Sequence, residues 1–235
     1  MRTAHNTAVI VAAASAVVLT GCVPVVVAGP AASEEREIEA VTTVVLDTSG
    51  DLSISEGEPG LTIHAPEDAL ERLTSEVNGD TLVLGTTSGP EIVVGEIRYE
   101  ITVPELEAIE LNGSGDVEAT VSAGGTLRLD LDGSGDVEWS GLEADGVEVR
   151  LSGSGSIELS GSTTQLTIEL DGSGSVDAGD LQAQKGVVSI GGSGGIDVAV
   201  RDTLSAEISG SGSVTYSGDP TVDSDVSGSG EVVRE

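Results

Sequence analysis

Residues 127–157 read LRLDLDGSGDVEWSGLEADGVEVRLSGSGSI. Two Gly-Ser-Gly cores, starting at Gly133 and Gly153, bracket one complete unit of a repeat. Outward from this stretch the core recurs at Gly113, Gly172, Gly192, Gly210 and Gly228, and the steps along the series are 20, 20, 19, 20, 18 and 18 residues. A fixed period of this size marks stacked copies of one supersecondary unit.

Apolar and polar residues alternate on both sides of each core. Leu127, Leu129 and Leu131 alternate with Arg128 and Asp130, and Leu166, Ile168 and Leu170 alternate with Thr167 and Glu169. Past each core comes another apolar residue: Val117, Val137, Ile157, Val176, Ile196, Val214 and Val232. Period-two alternation marks half-buried strands. Each unit is therefore strand, Gly-Ser-Gly corner, strand, and a less regular second turn such as Ala144-Asp145-Gly146. An antiparallel meander closing into a sandwich or barrel uses the same alternation. Identical chemistry at every corner favours coil-on-coil stacking instead. The sequence thus predicts an all-β chain, a single-stranded right-handed parallel β-helix or β-solenoid with 18–20 residues per coil. At a coil spacing of about 4.8 Å, the Gly-Ser-Gly coils span roughly 30–35 Å. Glycine suits the corners because it reaches positive φ without steric cost, and the serine hydroxyls can bond nearby backbone. The chain has no Phe, one Trp and two Tyr; a narrow interior filled by Val, Ile, Leu and Ala needs no more. Trp139 stands where neighbouring copies carry Ala119 and Leu159, which marks it as a filler of the core or a corner.

The N-terminus reads as an export signal over residues 1–21, with Arg2 ahead of an apolar stretch from Ala8 to Leu19. Leu19-Thr20-Gly21-Cys22 follows and resembles the bacterial lipobox, whose cysteine becomes the lipidated first residue of the mature protein. The alternatives are an ordinary signal peptide or an uncleaved anchor, since the apolar run continues from Val23 to Ala28. Lipidation of Cys22 would hold the protein to the membrane on the extracytoplasmic side. Residues 22–40 then form the lipidated cysteine and a tether. One continuous domain follows over 41–235, with N-terminal coils and a cap over 41–110 and regular repeats over 111–235.

There are 41 acidic and 9 basic residues, a net charge of −32. That excludes nucleic acid as a partner, disfavours polyanions and keeps an exported rod soluble. In the repeat register Glu118, Glu138, Glu158, Asp177 and Asp197 fall in one column, and Asp116 and Asp136 lie two positions before Glu118 and Glu138. A column of like charges at coil spacing opposes folding and attracts cations, and Ca²⁺ takes carboxylate oxygens. These seven residues are the candidate Ca²⁺ ligands. The other reading is a solvated acidic face with no cofactor.

Catalytic patterns fail on their surroundings. Gly191-Gly192-Ser193-Gly194-Gly195 matches G-x-S-x-G by letters, yet it is one copy of the repeat. His64, the sole histidine after export, lies outside the regular repeats. A polysaccharide-lyase reading lacks clustered acids with Lys or Arg and stacking aromatics. Asn112-Gly113-Ser114 is a nominal glycosylation sequon that the repeat itself explains. No catalytic residue is assigned and no enzyme is expected.

Residues 41–110 continue the grammar loosely. Thr48-Ser49-Gly50-Asp51-Leu52-Ser53-Ile54 is a degenerate first coil, and Asn78-Gly79 is a hairpin turn entering Thr81-Leu82-Val83-Leu84. Ala65–Leu73 can start a short helix, with Pro66 early and Glu67 and Asp68 in its first turn, placed to cap the open end of the stack. The run Ile101-Thr102-Val103-Pro104-Glu105-Leu106-Glu107-Ala108-Ile109-Glu110-Leu111 leads straight into NGSGDVEA. Together with TSGDLSI, LTIHAPEDALERL and NGDTLVL upstream, it resembles the head GIN domain, a bacterial family labelled putative autotransporter adhesin head. The resemblance covers residues 41–235. It implies a β-solenoid on an exported, often lipid-anchored protein and carries over no catalytic residues. The expected role is a non-catalytic binding, adhesion-like or structural module at the cell envelope, with an envelope protein or a glycan as partner. The alternatives are a Ca²⁺-dependent surface protein and an envelope signalling partner. An uncapped last coil at Val232 also points to end-to-end self-association.

Overall fold

A computed structural model describes residues 25–27, 29–87, 91–93 and 95–235. The export signal and Cys22 lie outside the described residues. The N-terminal part runs β1 (Val25–Val27), β2 (Ala31–Arg36), β3 (Thr43–Leu46), β4 (Asp51–Glu56), β5 (Gly60–Pro66), α1 (Glu67–Leu70), β6 (Leu73–Asn78), β7 (Thr81–Thr86), β8 (Glu91–Val93) and β9 (Arg98–Val103). The repeats follow as β10 (Ala108–Leu111), β11 (Val117–Thr120), β12 (Thr126–Gly133), β13 (Asp136–Gly153), β14 (Ser156–Gly172), β15 (Ser175–Gly192), β16 (Gly195–Gly210), β17 (Ser213–Ser217), β18 (Thr221–Gly228) and β19 (Glu231–Arg234).

Parallel pairing from coil to coil makes the β-solenoid. Strands leading into the corner stack as a first face: β7, β3, β10, β12, the second halves of β13 to β16, then β18. Strands leaving the corner stack as a second face: β9, β4, β11, the first parts of β13 to β16, then β17 and β19. A short third face links them, with Leu142 against Gly161, Gly161 against Leu181, and Ala183 against Val200. Alternate residues point inward and close the core, as in Leu131, Leu151, Leu170, Ile190 and Ile208, all buried. Trp139 and Tyr99 are fully buried. Trp139 uses the room left by its ladder partner Ala119, and its indole N–H donates to the Val121 carbonyl at 3.1 Å. Burial pushes the Tyr99 phenol above its ordinary pKa, and the nearby Thr48 hydroxyl opposes that shift.

The corners explain the glycines. From the second Gly-Ser-Gly onward the serine N–H donates to the first glycine carbonyl of the preceding corner, as Ser154 does to Gly133 at 3.0 Å and Ser193 to Gly172 at 2.9 Å. Gly153 has φ +144, and a Cβ there would fall on the Gly133 carbonyl oxygen; one on Gly155 would fall on that of Gly135. Two backbones meet with no room for any side chain. The bonds come from the serine backbone, and the corner side chains of Ser134, Ser154, Ser173, Ser193, Ser211 and Ser229 are exposed.

Stack order departs from chain order. The coil of β3 and β4 is laid down first, yet it lies between the later coil of β7 and β9 and the coil of β10 and β11. The chain builds outward on one side of its first coil, then returns through the buried Leu106 to build on the other. At the N-terminal end the pairing turns antiparallel, with β5 on β9, β2 on β5, and β6 on β7. The expected capping helix shrinks to the four residues of α1, which joins β5 to β6 and buries Ala69 and Leu70. No capping helix closes the end; antiparallel strands do. Arg36 of β2 ties the two faces together there. Its guanidinium donates to the carbonyls of Leu73 at 2.9 Å and Leu70 at 3.2 Å and to Ser75 Oγ at 3.1 Å. The stretch read as a tether therefore contributes a strand of the main sheet.

In the last coil, Ser224 and Arg234 stand in columns filled by Ala206 and Tyr216 one coil earlier. Val226 is 40% exposed and Val233 43%. Arg234 turns outward and pairs with Asp219 at 3.2 Å.

Gly153→Ala should lower unfolding free energy by about 3 kcal/mol or more, from a disfavoured φ and a backbone clash. Gly125→Ala, where a Cβ meets nothing within 4 Å, should stay within about 0.5 kcal/mol of wild type in the same denaturant titration. Arg36→Met keeps the apolar stem and removes the donors; it should cost about 2 kcal/mol and raise amide exchange in β2 and β6 ahead of the repeats.

Candidate binding surface

The acidic column is present in register. Glu118 pairs with Glu138, Glu138 with Glu158, Glu158 with Asp177, and Asp177 with Asp197; Ser53 continues the row at one end and Thr215 at the other. All five carboxylate residues are exposed. Asp116 and Asp136 do something else. Each lends a carboxylate oxygen to the next coil: Asp136 N–H donates to Asp116 Oδ1 at 3.1 Å, and Asp136 Oδ1 accepts from Ser156 N–H at 3.0 Å and Ser156 Oγ at 2.6 Å. Asp51 serves Asp116 in the same way at 3.3 Å. These aspartates cap backbone donors beside the corner. Among the described residues no group of three or more His, Cys, Asp or Glu is arranged to hold a metal ion. The first face handles charge differently. Arg128 meets Glu148 at 2.8 Å, and Arg150 meets Asp130 at 3.6 Å and Glu169 at 3.1 Å, so signs alternate from coil to coil.

Concavity appears on the third face. Coil lengths vary, the corners do not, and the difference is absorbed in bulges between Trp139 and Leu142, Glu158 and Ser160, and Ala178 and Gln182. The chain there forms a shallow groove of about 570 Å³ crossing several coils. Glu143, Ser162 and Gln182 make one exposed ladder along it, and Asp145, Thr164 and Gln184 line it beside them. Gly124 and Gly125 lie at one end and Arg201 at the other. Thr163 is buried in its floor, and its hydroxyl donates to the Gln165 carbonyl at 3.1 Å. None of these groove residues stood out in the sequence, because the second turns vary in length and hide the register. Aligning the copies on their corners places Ser162 and Gln182 at nearly equal offsets.

A second hollow, of about 610 Å³, lies at the N-terminal end between β2, β5 and β9, lined by Ala32, Ser33, His64, Pro66 and Arg98 among others. Ser33 sits across the ladder from His64. The imidazole Nε2 faces Glu100 Oε1 at 3.4 Å, beyond a good hydrogen bond. No described hydrogen bond joins Ser33 to His64, so this trio is not arranged as nucleophile, base and orienting acid. Among the described residues no helix is long and apolar enough to cross a membrane.

Residues 40–220 match the family described as "Putative auto-transporter adhesin, head GIN domain". No curated protein matches the sequence. Among solved structures, a putative adhesin from Bacteroides fragilis is 22% identical with a TM-score of 0.81, covering 90% of this chain and all of that one. A putative lipid binding protein from Parabacteroides distasonis is 24% identical with a TM-score of 0.77, covering 90% of this chain and 99% of its own. A putative adhesin from the same species is 20% identical with a TM-score of 0.70, over 90% and 99%. At these identities the likeness shows the fold.

Substitutions at two positions separate structural from cation-binding roles. Glu138→Gln, in the middle of the unbalanced row, should raise the melting temperature at low salt, with the gain shrinking in 1 M NaCl as screening removes the repulsion it relieves. Asp136→Ala should cost about 1–2 kcal/mol and Asp136→Asn much less, since the amide oxygen still accepts from Ser156. Both differences should be the same in millimolar Ca²⁺ and in chelator.

Proposed function

We propose that this chain, which belongs to the head GIN domain family, is a non-catalytic binding module held by a lipid on Cys22 at the extracytoplasmic face of the bacterial membrane. The observation that carries this reading is the exterior of the stack. Within it each coil's strands pair with the coils on both sides, so the rod offers a partner side chains in fixed rows. Fixed rows cost little ordering entropy on binding, which suits a recognition surface. The adhesin descriptions of the solved relatives support the same class. The lipid-binding description of another relative has less support here, because side chains fill the solenoid interior and leave no room for an acyl chain.

The anchor would lie at the antiparallel end. Only eight residues lie between Cys22 and the start of β2, a reach of roughly 30 Å at most. The coils would rise from that foot and carry the last coil outward. The partner would be an envelope or neighbouring-cell protein or glycan, and nucleic acid is disfavoured by the charge. End-to-end association with a second copy would have to cover Ser224 and the Arg234–Asp219 pair, which disfavours it.

Expressed in a bacterium, the protein should incorporate radiolabelled palmitate and sediment with membranes, and Cys22→Ala should abolish both while leaving the melting temperature of the domain unchanged. A Cys22→Ala protein that still sediments and resists alkaline extraction would instead mean an uncleaved apolar anchor.

A further inference from the structure

Resting on the binding-module reading, we propose that the groove of the third face is its recognition site and that its ligand is a linear, hydroxyl-rich glycan lying along the rod axis, neutral or carrying only isolated charges. Backbone availability is the first argument. The segments under the groove are laddered to coils on both sides, so no free sheet edge is left for an extended peptide to join. Recognition there must use side chains.

Side-chain chemistry narrows the class. Ser162, Thr164, Gln182 and Gln184 each offer both a donor and an acceptor, which is what sugar hydroxyls require. The lining holds no aromatic residue and little exposed apolar surface, so an acyl chain or an apolar helix gains nothing by docking. It holds one cation, Arg201, against Glu143 and Asp145, which disfavours nucleic acid and polyanionic glycans. Periodicity narrows it further. The Glu143, Ser162 and Gln182 ladder repeats one residue per coil, about 4.8 Å apart. A ligand with its own regular repeat along one axis meets a polar side chain at each step, and a small compact molecule would use one coil only. The ends differ in charge, with Glu143 and Asp145 toward the early coils and Arg201 toward the late ones. Among the described residues Arg201 forms no ion pair, so it is free to meet an isolated carboxylate on the chain. The groove therefore has a direction, and so would the bound glycan.

The test uses the purified protein and named probes: chitohexaose and cellohexaose as neutral chains, polygalacturonate and heparin as polyanions, each titrated calorimetrically. At least one neutral hexasaccharide should bind, its monosaccharide far more weakly, and the polyanions not at all. Gln182→Ala/Gln184→Ala should weaken binding at least about tenfold, one lost hydrogen-bonding contact being worth about that factor. Ser162→Trp, which blocks the groove from an exposed position, should abolish it with the melting temperature unchanged. Glu207→Ala on the first face should have no effect. Failure of both neutral chains to bind, tighter binding of a polyanion, or binding indifferent to both groove variants would each overturn the proposal. Retention of envelope components on immobilised protein separates the two levels. Retention that survives Ser162→Trp leaves the binding module standing and removes the groove; no retention by wild type, with no glycan bound, removes both.

Discussion

Backbone meets backbone at every Gly-Ser-Gly corner, where the glycines of one coil sit on the carbonyl oxygens of the coil before. The contact leaves no space for a Cβ and, from Ser134 onward, brings the corner serine N–H onto a glycine oxygen. Coil spacing is thereby fixed at the corner in every repeat, and elsewhere only at single contacts such as Gly161 on Leu142. Everything that varies must vary elsewhere. The corners advance by 20, 20, 19, 20, 18 and 18 residues, and the residues gained or lost are taken up opposite, in the bulges around Ser140, Ser160 and Gly179. A rigid corner and an adjustable far side are two results of one constraint, and the groove forms on the adjustable side.

The same constraint shapes the electrostatics. Once coils are in register, equivalent positions form rows, and the sign at one position is set against the sign one coil away. The first face resolves this with Arg128 and Arg150 between carboxylates. The second face has no such interleaving from Glu118 to Asp197, and its carboxylates rely on solvent. Exposed pairs in water interact by only about 1 kcal/mol, which the interior burial of Leu, Ile and Val in every coil can offset. Where an aspartate lies nearer the backbone, as Asp116 and Asp136 do, its charge is used to accept amide N–H groups that the corner leaves over.

Reading the repeat from sequence was enough for the stack, the buried rows and the register of the acidic column, because each is written in local alternation plus a fixed period. Position of the first coil was not legible. Thr48-Ser49-Gly50 looks like a corner, and it is one, with Gly115 seated on Gly50. Nothing in a coil's own residues says whether its neighbour comes earlier or later in the chain. The Ala65–Leu73 stretch carries helix-starting residues, yet β5 and β6 need residues on both sides of it, and only α1 is left helical. Arg36 gave no signal either, since three of its four acceptors, Leu70, Leu73 and Ser75, lie more than thirty positions away. The groove residues escaped for the opposite reason: their pattern is periodic, but the irregular second turns shift its phase from copy to copy.

A solenoid satisfies its backbone everywhere except at its two ends, and the ends here are treated unlike one another. The N-terminal end turns to antiparallel pairing and is tied across by a charged side chain bonded to two carbonyls and a hydroxyl. A parallel stack cannot be extended onto strands running the other way without a new set of corners, so this end is closed to growth by geometry. The last coil keeps the parallel direction and its Gly228 corner, so geometry alone would let another coil follow. What opposes that is chemistry: Ser224 and Arg234 occupy interior columns, and the coil's outer positions carry Asp223, Asp225 and Glu231. Adding a coil would cover the Ser224 hydroxyl and the Arg234–Asp219 pair and bring like charges together. Strand direction sets one end apart and polar residues the other, and the long faces between them carry the exposed side chains in rows.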